Sequence, residues 1–218
     1  MNKSILALLL GWTCLWTNIV QAKDLANKPI AVIEQYASLG DVDAQIFLSK
    51  LYYEEKNYKL AETWLRAAAE QGIVRAQVAL AVFYYHGIAV PPDYRESAFW
   101  ARKAAIQGDS SAQEALGILY FEGKGVTQNY QQAEAWARKA AEQGNAGAQF
   151  LLGRLYYQGK GVHQNYKLAY VWFSVSATNG EPSSVELRDN SAKHLTNEVL
   201  IDAQVLAEEY FHKYKLNK

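Results

Sequence analysis

Residues 130–144 read YQQAEAWARKAAEQG, and residues 94–108, 36 positions earlier, read YRESAFWARKAAIQG. A chain that restates itself at a fixed interval, with a tryptophan in the same place, is assembled from repeated units. Three columns keep the 36-residue period throughout: Tyr58, Tyr94, Tyr130 and Tyr166; Trp64, Trp100, Trp136 and Trp172; Gly72, Gly108, Gly144 and Gly180. A second set lies upstream: Ala44, Ala76, Ala112 and Ala148, each followed by Gln; Leu48, Leu80, Leu116 and Leu152; Tyr52, Tyr84, Tyr120 and Tyr156. Here the first spacing is 32 and the other two are 36, and comparing YYEEKNY with YFEGKGVTQNY places the missing four residues in a loop.

Each unit reads as two helices. Ala44, Leu48, Leu51 and Tyr52 follow the i, i+4, i+7, i+8 rule and so form one apolar stripe of a first helix. Gly87, Gly123 and Gly159 supply the residue type that ends such a helix in the left-handed region. A second helix is expected to begin at Asn57, Asp93, Asn129 and Asn165, whose side chains can accept from first-turn amides. Its apolar face carries Ala61, Trp64 and Ala68, and Gly72 and its equivalents close it. A single helical hairpin cannot bury enough apolar surface to offset the entropy of ordering it, so the units must stack, each lending the next a wall for its indole.

The ends of the array depart from the period. Residues 30–40, IAVIEQYASLG, resemble a second helix without its partner and are expected to close the N-terminal end. Beyond Gly180 the period stops, and Thr196 precedes a stretch whose Val199, Ala203, Leu206, Ala207 and Tyr210 keep helical spacing. The expected organisation is a capping helix in 23–42, four units at 43–74, 75–110, 111–146 and 147–182, and a C-terminal helical cap in 183–218.

The pattern AQxxLGxxYxxGxGVxxNYxxAxxWxxKAAxQG, spelled out almost in full by Ala112 to Gly144 and Ala148 to Gly180, resembles the Sel-one-like repeat (SLR), a relative of the tetratricopeptide repeat. It covers about residues 43–182, and the stretch ELRDNSAKHLTNEVLIDAQVLAEEY also resembles the cap that follows such arrays. Unit one departs by lacking the GxGV loop. Unit two departs by having Ser97 for the usual alanine and Ala89 for the second loop glycine. The resemblance implies an all-α fold, a right-handed α-solenoid of stacked antiparallel helix pairs with N- and C-terminal capping helices. It also implies an adaptor for other proteins, exported bacterial members acting in the periplasm, at the envelope or on host cells.

Residues 1–22 support export. They carry one lysine, Lys3, an apolar run from Ile5, and small residues at Val20 and Ala22, the layout of a signal peptide cut after Ala22. The run is interrupted by Thr13, Thr17 and Asn18 and is short for a bilayer span. Membrane contact is therefore expected only through this segment before cleavage. Cleavage would remove the only cysteine, Cys14, and the only methionine, leaving packing rather than disulfides to stabilise an exported chain. The full chain has 22 basic and 22 acidic residues, and losing Lys3 would leave about −1. Such a balance argues against nucleic acid as a partner, because its binders carry a clear basic excess.

No catalytic motif survives inspection. Gly117 to Lys124 and Gly153 to Lys160 place five residues between glycines where a phosphate loop requires four. His86, His163, His194 and His212 show no HExxH or i, i+4 pairing, so neither metal nor cofactor is expected. No serine has lysine three residues on, and there is no GxSxG elbow. Lys124, Lys160, Arg102, Lys103, Arg138 and Lys139 could form a basic strip, although Glu134 and Glu142 on the same helices favour an ordinary solvated surface.

The first helices offer a candidate binding surface. Opposite the repeated stripe, positions differ between units: Ile46, Val78, Glu114, Phe150; then Lys50, Val82, Ile118, Arg154; then Glu54, His86, Glu122, Gln158. Beside them runs an aromatic ladder, Tyr53, Tyr85, Phe121 and Tyr157, of a kind enriched at interfaces. In a solenoid the first helices line the concave side, so the expected groove is Lys50, Tyr53, Glu54, Val82, Tyr85, His86, Ile118, Phe121, Glu122, Arg154, Tyr157 and Gln158. The same ladder could instead pack between units. The expected partner is another protein or a peptide, held by a few buried anchors, and the oligomeric state stays open. Two function classes follow. One is a non-catalytic exported scaffold, acting as envelope adaptor, inhibitor or immunity protein, or host-interaction factor. The other is an envelope enzyme acting on peptidoglycan or β-lactams.

Overall fold

Alanine-rich, periodic segments with a polar cap before them and a glycine after them form helices, and this chain consists of little else. The computed structural model describes residues 25–88 and 91–215; the expected signal peptide, Ala89 and the last three residues of the expected C-terminal cap lie outside the described residues. Eleven helices occur among the described residues: α1 Ile30–Ser38, α2 Val42–Glu54, α3 Tyr58–Glu70, α4 Val74–His86, α5 Tyr94–Ile106, α6 Ser110–Glu122, α7 Tyr130–Ala141, α8 Ala146–Gln158, α9 Tyr166–Thr178, α10 Ser184–Ala192 and α11 Asn197–Tyr214. Four hairpins, α2–α3, α4–α5, α6–α7 and α8–α9, correspond to the four sequence repeats. The chain forms two units, one running to Ala104 and one from Ala105. In the first, α1 packs on α2, α2 on α3, and α3 on α4. In the second, α6 packs on α7, α7 on α8, and α8 on α9, while α9 is covered by α10 and α11.

The caps expected of the second helices form. Asn57, Asn129 and Asn165 accept from the amides of Leu60, Gln132 and Leu168, and Asp93 accepts from those of Arg95 and Glu96. The first helices have caps of their own: Asp41, Asp109 and Asn145 each accept from an amide three residues on at 2.8 Å. Ile73 stands at the equivalent place before α4 and makes no side-chain cap. Gly87, Gly123 and Gly159 end their helices in the left-handed region, as expected.

The glutamine after each repeated alanine is the hidden connector of the fold. Gln45, Gln77, Gln113 and Gln149 are all buried. Each donates from Nε2 to a carbonyl eight residues earlier, on the helix before its own: Ala37, Ala69, Ala105 and Ala141, at 2.9–3.1 Å. Three of these amides also accept: Gln45 from Gln71, Gln113 from Gln143, and Gln149 from Asn179. A buried amide with both ends satisfied fixes the register of a hairpin against the preceding helix, because any slip would strand it unpaired. Among the described residues no buried side-chain N or O lacks a partner.

The tyrosine column makes a second tie. Tyr52 Oη donates 2.6 Å to Glu34 on α1, and this carboxylate together with burial pushes its phenol up to about 12. Tyr84 meets Glu62 and Arg66 on α3, and Tyr156 accepts from Arg138 on α7 at 2.9 Å. Ser97, the departure from alanine in unit two, is buried and donates to the Ala81 carbonyl at 2.8 Å, so the hydroxyl is satisfied where it is buried.

The indoles divide in their burial. Trp100 and Trp172 are 1% exposed. Trp64 is half-buried against the core of Leu25, Ile33, Ala37, Ala44 and Leu48. Trp136 is half-buried, and Lys139 Nζ lies 4.3 Å from its ring centre. For Trp172 the wall comes from α11, whose Tyr210 and Tyr214 rings stand 5.2 and 5.7 Å away. The Tyr214 carbonyl also accepts from Gln149 and Asn179, so the last helix completes the glutamine connections as well as the apolar core.

Candidate functional site

The expected groove residues sit in the last turns of the first helices, and their geometry falls into two sets. In the first unit Lys50 Nζ lies 3.6 Å from Glu54 Oε1, an i, i+4 pair on an open surface. The Tyr53 ring stands 5.4 Å from Tyr58, and burial, with the Tyr58 hydroxyl adding to it, raises its pKa above the usual phenol range. Val82 and Tyr85 are half-buried. Tyr85 meets Tyr94 at 5.4 Å and the His86 ring edge-on at 5.2 Å. His86 ends α4 with an exposed edge, and desolvation of its ring lowers its pKa.

In the second unit Ile118 is half-buried against the core of Ala133, Ala137, Leu151 and Leu152. Phe121, expected in the groove, is instead buried, at 8% exposure, its ring 5.5 Å from Tyr130. Above that ring stand two cations: the Arg154 guanidinium carbon at 4.6 Å and Lys160 Nζ at 5.3 Å from its centre. Glu122 pairs with Lys124 at 2.9 Å. Tyr157 is half-buried, 5.4 Å from Tyr166, and His194 from the C-terminal cap stacks on Tyr166 at 4.1 Å. Gln158, the last residue of α8, is exposed.

Two sequence expectations need correction. The ladder Tyr53, Tyr85, Phe121 and Tyr157 packs ring on ring with the tyrosine opening the second helix of its own hairpin, in all four repeats at 5.4–5.5 Å. Part of each ring therefore belongs to the hairpin, because a residue one position beyond the stripe lies at the edge between core and solvent. The column Ile46, Val78, Glu114, Phe150 is not an open stripe either. Ile46 is 2% exposed, Phe150 lies 5.7 Å from Phe173, and the Glu114 carboxylate presses on Gly147, where a Cβ would stand 2.0 Å from Oε1. Desolvation there raises the Glu114 pKa, Asn145 opposes that with a hydrogen bond, and Glu181 adds to it.

The candidate basic strip also resolves into separate contacts. Arg138 is held by Glu134 and Tyr156, Lys103 lies over Phe99 and Trp100, and Lys139 over Trp136. Lys160 owes its place to the GKG turn. Gly159 and Gly161 both take positive φ, +66° and +71°, and the Gly161 α-carbon sits so close to the Tyr130 backbone that a Cβ would come within 2.5 Å of it. That close approach lays Lys160 over Phe121 and Tyr130 of the preceding repeat. The sequence carried the signal in the second loop glycine. His194 was legible only as one of four unpaired histidines, because its stacking depends on where the cap returns.

Among the described residues no three His, Cys, Asp or Glu side chains converge as a metal site would need. Nor, among them, is any helix long and apolar enough to cross a membrane.

Stacked hairpins with a constant buried framework and residues that vary at the ends of the first helices define a helical repeat protein. The Sel1 repeat model matches residues 42–73, 74–109, 110–145 and 146–181, and the chain belongs to the Sel1 repeat family. It is similar to the crystal structure of a protective antigen present in uropathogenic Escherichia coli strains and displaying an SLR fold, with 37% identity and a TM-score of 0.75 over 87% of this chain and 42% of that one. It is also similar to a Sel1 repeat protein from Oxalobacter formigenes, with 33% identity and a TM-score of 0.61 over 74% of this chain and 48% of that one. The chain thus spans less than half the length of either relative. No curated protein matches it. The fold is accordingly the all-α SLR type. Sel1 repeat proteins are generally non-catalytic scaffolds whose repeats mediate protein–protein interaction.

Proposed function

We propose that this chain is an exported, non-catalytic scaffold that captures another protein on the ends of its first helices. One observation carries the reading. The repeated framework is buried and satisfied, as in the four glutamines, whereas Lys50, Val82, Ile118 and Arg154 differ in kind at equivalent places within reach of solvent. Selection for packing alone would favour one residue type there, and selection for a partner favours different ones. The groups with raised pKa at Tyr52, Tyr84 and Arg138 tie helices together, which is structural work rather than catalysis. The signal-peptide layout of residues 1–22 supports the export part of this reading, with the periplasm or the cell exterior as the place of action.

Photo-crosslinking tests the docking face. A benzoylphenylalanine at Tyr85 or Tyr157, expressed in the native cell, should give a light-dependent adduct with another protein, and one at exposed Gln131 on α7 should not. Adducts from Gln131 alone would overturn the reading. Intact mass should show a chain beginning at Lys23, and the purified protein should leave peptidoglycan and β-lactams unaltered; turnover of either would establish an enzyme instead.

A further inference from the structure

Comparing equivalent positions isolates one substitution with two consequences. The column ending each first helix reads Glu54, His86, Glu122, Gln158. In the first repeat Glu54 neutralises the cation four residues before it, Lys50, at 3.6 Å. In the third, Glu122 neutralises the cation two residues after it, Lys124, at 2.9 Å. The fourth repeat keeps both cations, Arg154 at the Lys50 position and Lys160 at the Lys124 position, and has the neutral Gln158 where the carboxylate would stand. Among the described residues no carboxylate lies within ion-pair distance of either cation. Their neighbours are aromatic faces: Phe121 and Phe150 for Arg154 at 4.6 and 5.8 Å, Phe121 and Tyr130 for Lys160 at 5.3 and 5.2 Å.

Such an arrangement suits a carboxylate. Rings beside a cation hold it in place and reduce its hydration without using up its hydrogen-bond donors. A guanidinium fork and an ammonium packed on one ring can each donate charge-assisted hydrogen bonds to a carboxylate of one acidic segment. Tyr157 and Gln158, on the same helix end, add a half-buried ring and an amide that can contact the backbone of an extended segment. The balance of 22 basic and 22 acidic residues points to a local acidic ligand rather than a polyanion.

We infer that Arg154 and Lys160, left without a carboxylate by Gln158 and seated on Phe121, form a recognition site for an acidic segment of a partner protein. The inference deepens the docking reading for the second unit and rests on it. Its test uses the full chain with two labelled octapeptide pools, one alternating Asp or Glu with Leu or Phe, the other carrying Asn or Gln at the same positions. By fluorescence anisotropy the acidic pool should bind about tenfold more tightly, the equivalent of one added charge-assisted contact, and raised salt should remove the difference. Gln158→Glu restores the residue of the first and third repeats, so it should fold and abolish the preference. The double variant Arg154→Gln, Lys160→Gln should do the same. Arg188→Gln, whose cation already has Asp189 at 2.8 Å and lies outside the first helices, should leave the preference intact, and thermal unfolding of each variant verifies the fold. Equal binding of the two pools, binding of neither, or a preference that survives Gln158→Glu would overturn the inference. So would displacement of the acidic pool by inorganic phosphate or polyuridylate as readily as by unlabelled acidic peptide. Because the pools are read on purified protein, failure here is distinct from failure of the docking face: a native partner crosslinked from Tyr157 and insensitive to Gln158→Glu would leave docking standing and remove carboxylate recognition.

Discussion

At the scale of single residues, buried polar groups constrain this molecule more than its apolar ones do. Gln149 is 0% exposed, donates to the Ala141 and Tyr214 carbonyls and accepts from Asn179. Leucine at that position keeps the volume and removes all three hydrogen bonds. Gln149→Leu is therefore expected to cost about 2 kcal/mol and to lower the thermal midpoint by about 4–8 °C for a chain of this size, followed by circular dichroism. Gln131→Leu, at an exposed site, should change stability by less than about 0.5 kcal/mol. Glu114 gives a pH signature. Its folded pKa lies above its unfolded one, chiefly through desolvation beside Gly147. The contribution of the group is thus complete below the unfolded pKa and is lost as pH rises through the folded one. Glu114→Gln keeps the shape without the titration, so it should raise the midpoint at about pH 8 and change it little at about pH 4. An equal shift at both would show that the carboxylate is not desolvated in the fold.

At the scale of elements, the loops separate glycines that only turn the chain from glycines that also seat it. Gly180 has a φ of +108° with nothing within 4 Å of a would-be Cβ, whereas Gly161 combines a φ of +71° with the Tyr130 backbone at 2.5 Å. Gly180→Ala should cost about 1 kcal/mol from backbone strain, and Gly161→Ala about 2–3 kcal/mol, since the backbone it meets cannot rotate away. Urea unfolding of the two variants measures the difference. Helices, caps and repeat boundaries were legible in the sequence because each depends on neighbours within a few positions: Asn129 caps α7 whatever lies around it. The surface was legible less fully. Helical spacing assigns Ile46 to the side away from the stripe and Phe121 to its edge, yet a first helix touches other helices on more than one side, and spacing within it cannot say how many. Gln45 and its equivalents showed as a column with no evident role, since the carbonyl each one needs lies on a different helix. The pairing of Gln158 with its equivalents was open to reading from the start, but its meaning required knowing that Glu54 and Glu122 reach different cations.

At the scale of the whole molecule, a repeat array is coupled between neighbours, so damage at one end should fade along the chain. The C-terminal helix α11 supplies Tyr210 and Tyr214 to Trp172, the Tyr214 carbonyl to Gln149 and Asn179, and Ala203 and Ala207 to a core with Val171. Deleting residues 197–218 removes all of these together. Uncovering an indole that is 1% exposed costs about 3–5 kcal/mol by itself, and the hydrogen bonds that Gln149 and Asn179 lose to the Tyr214 carbonyl add about 0.5–1.5 kcal/mol each. A marginally stable fold cannot absorb that locally. The truncated chain is expected to lose amide protection in α8 and α9 and to show red-shifted tryptophan emission. In α2, which packs on α1, and α3, which packs on α2, around a core that includes Ile33 and Leu48, protection should remain near the full-length value. Hydrogen exchange resolved by peptide distinguishes the two regions in one experiment. Uniform loss across α2 to α9 would mean that the array unfolds as one cooperative body, and that its stability is not a sum over neighbouring hairpins.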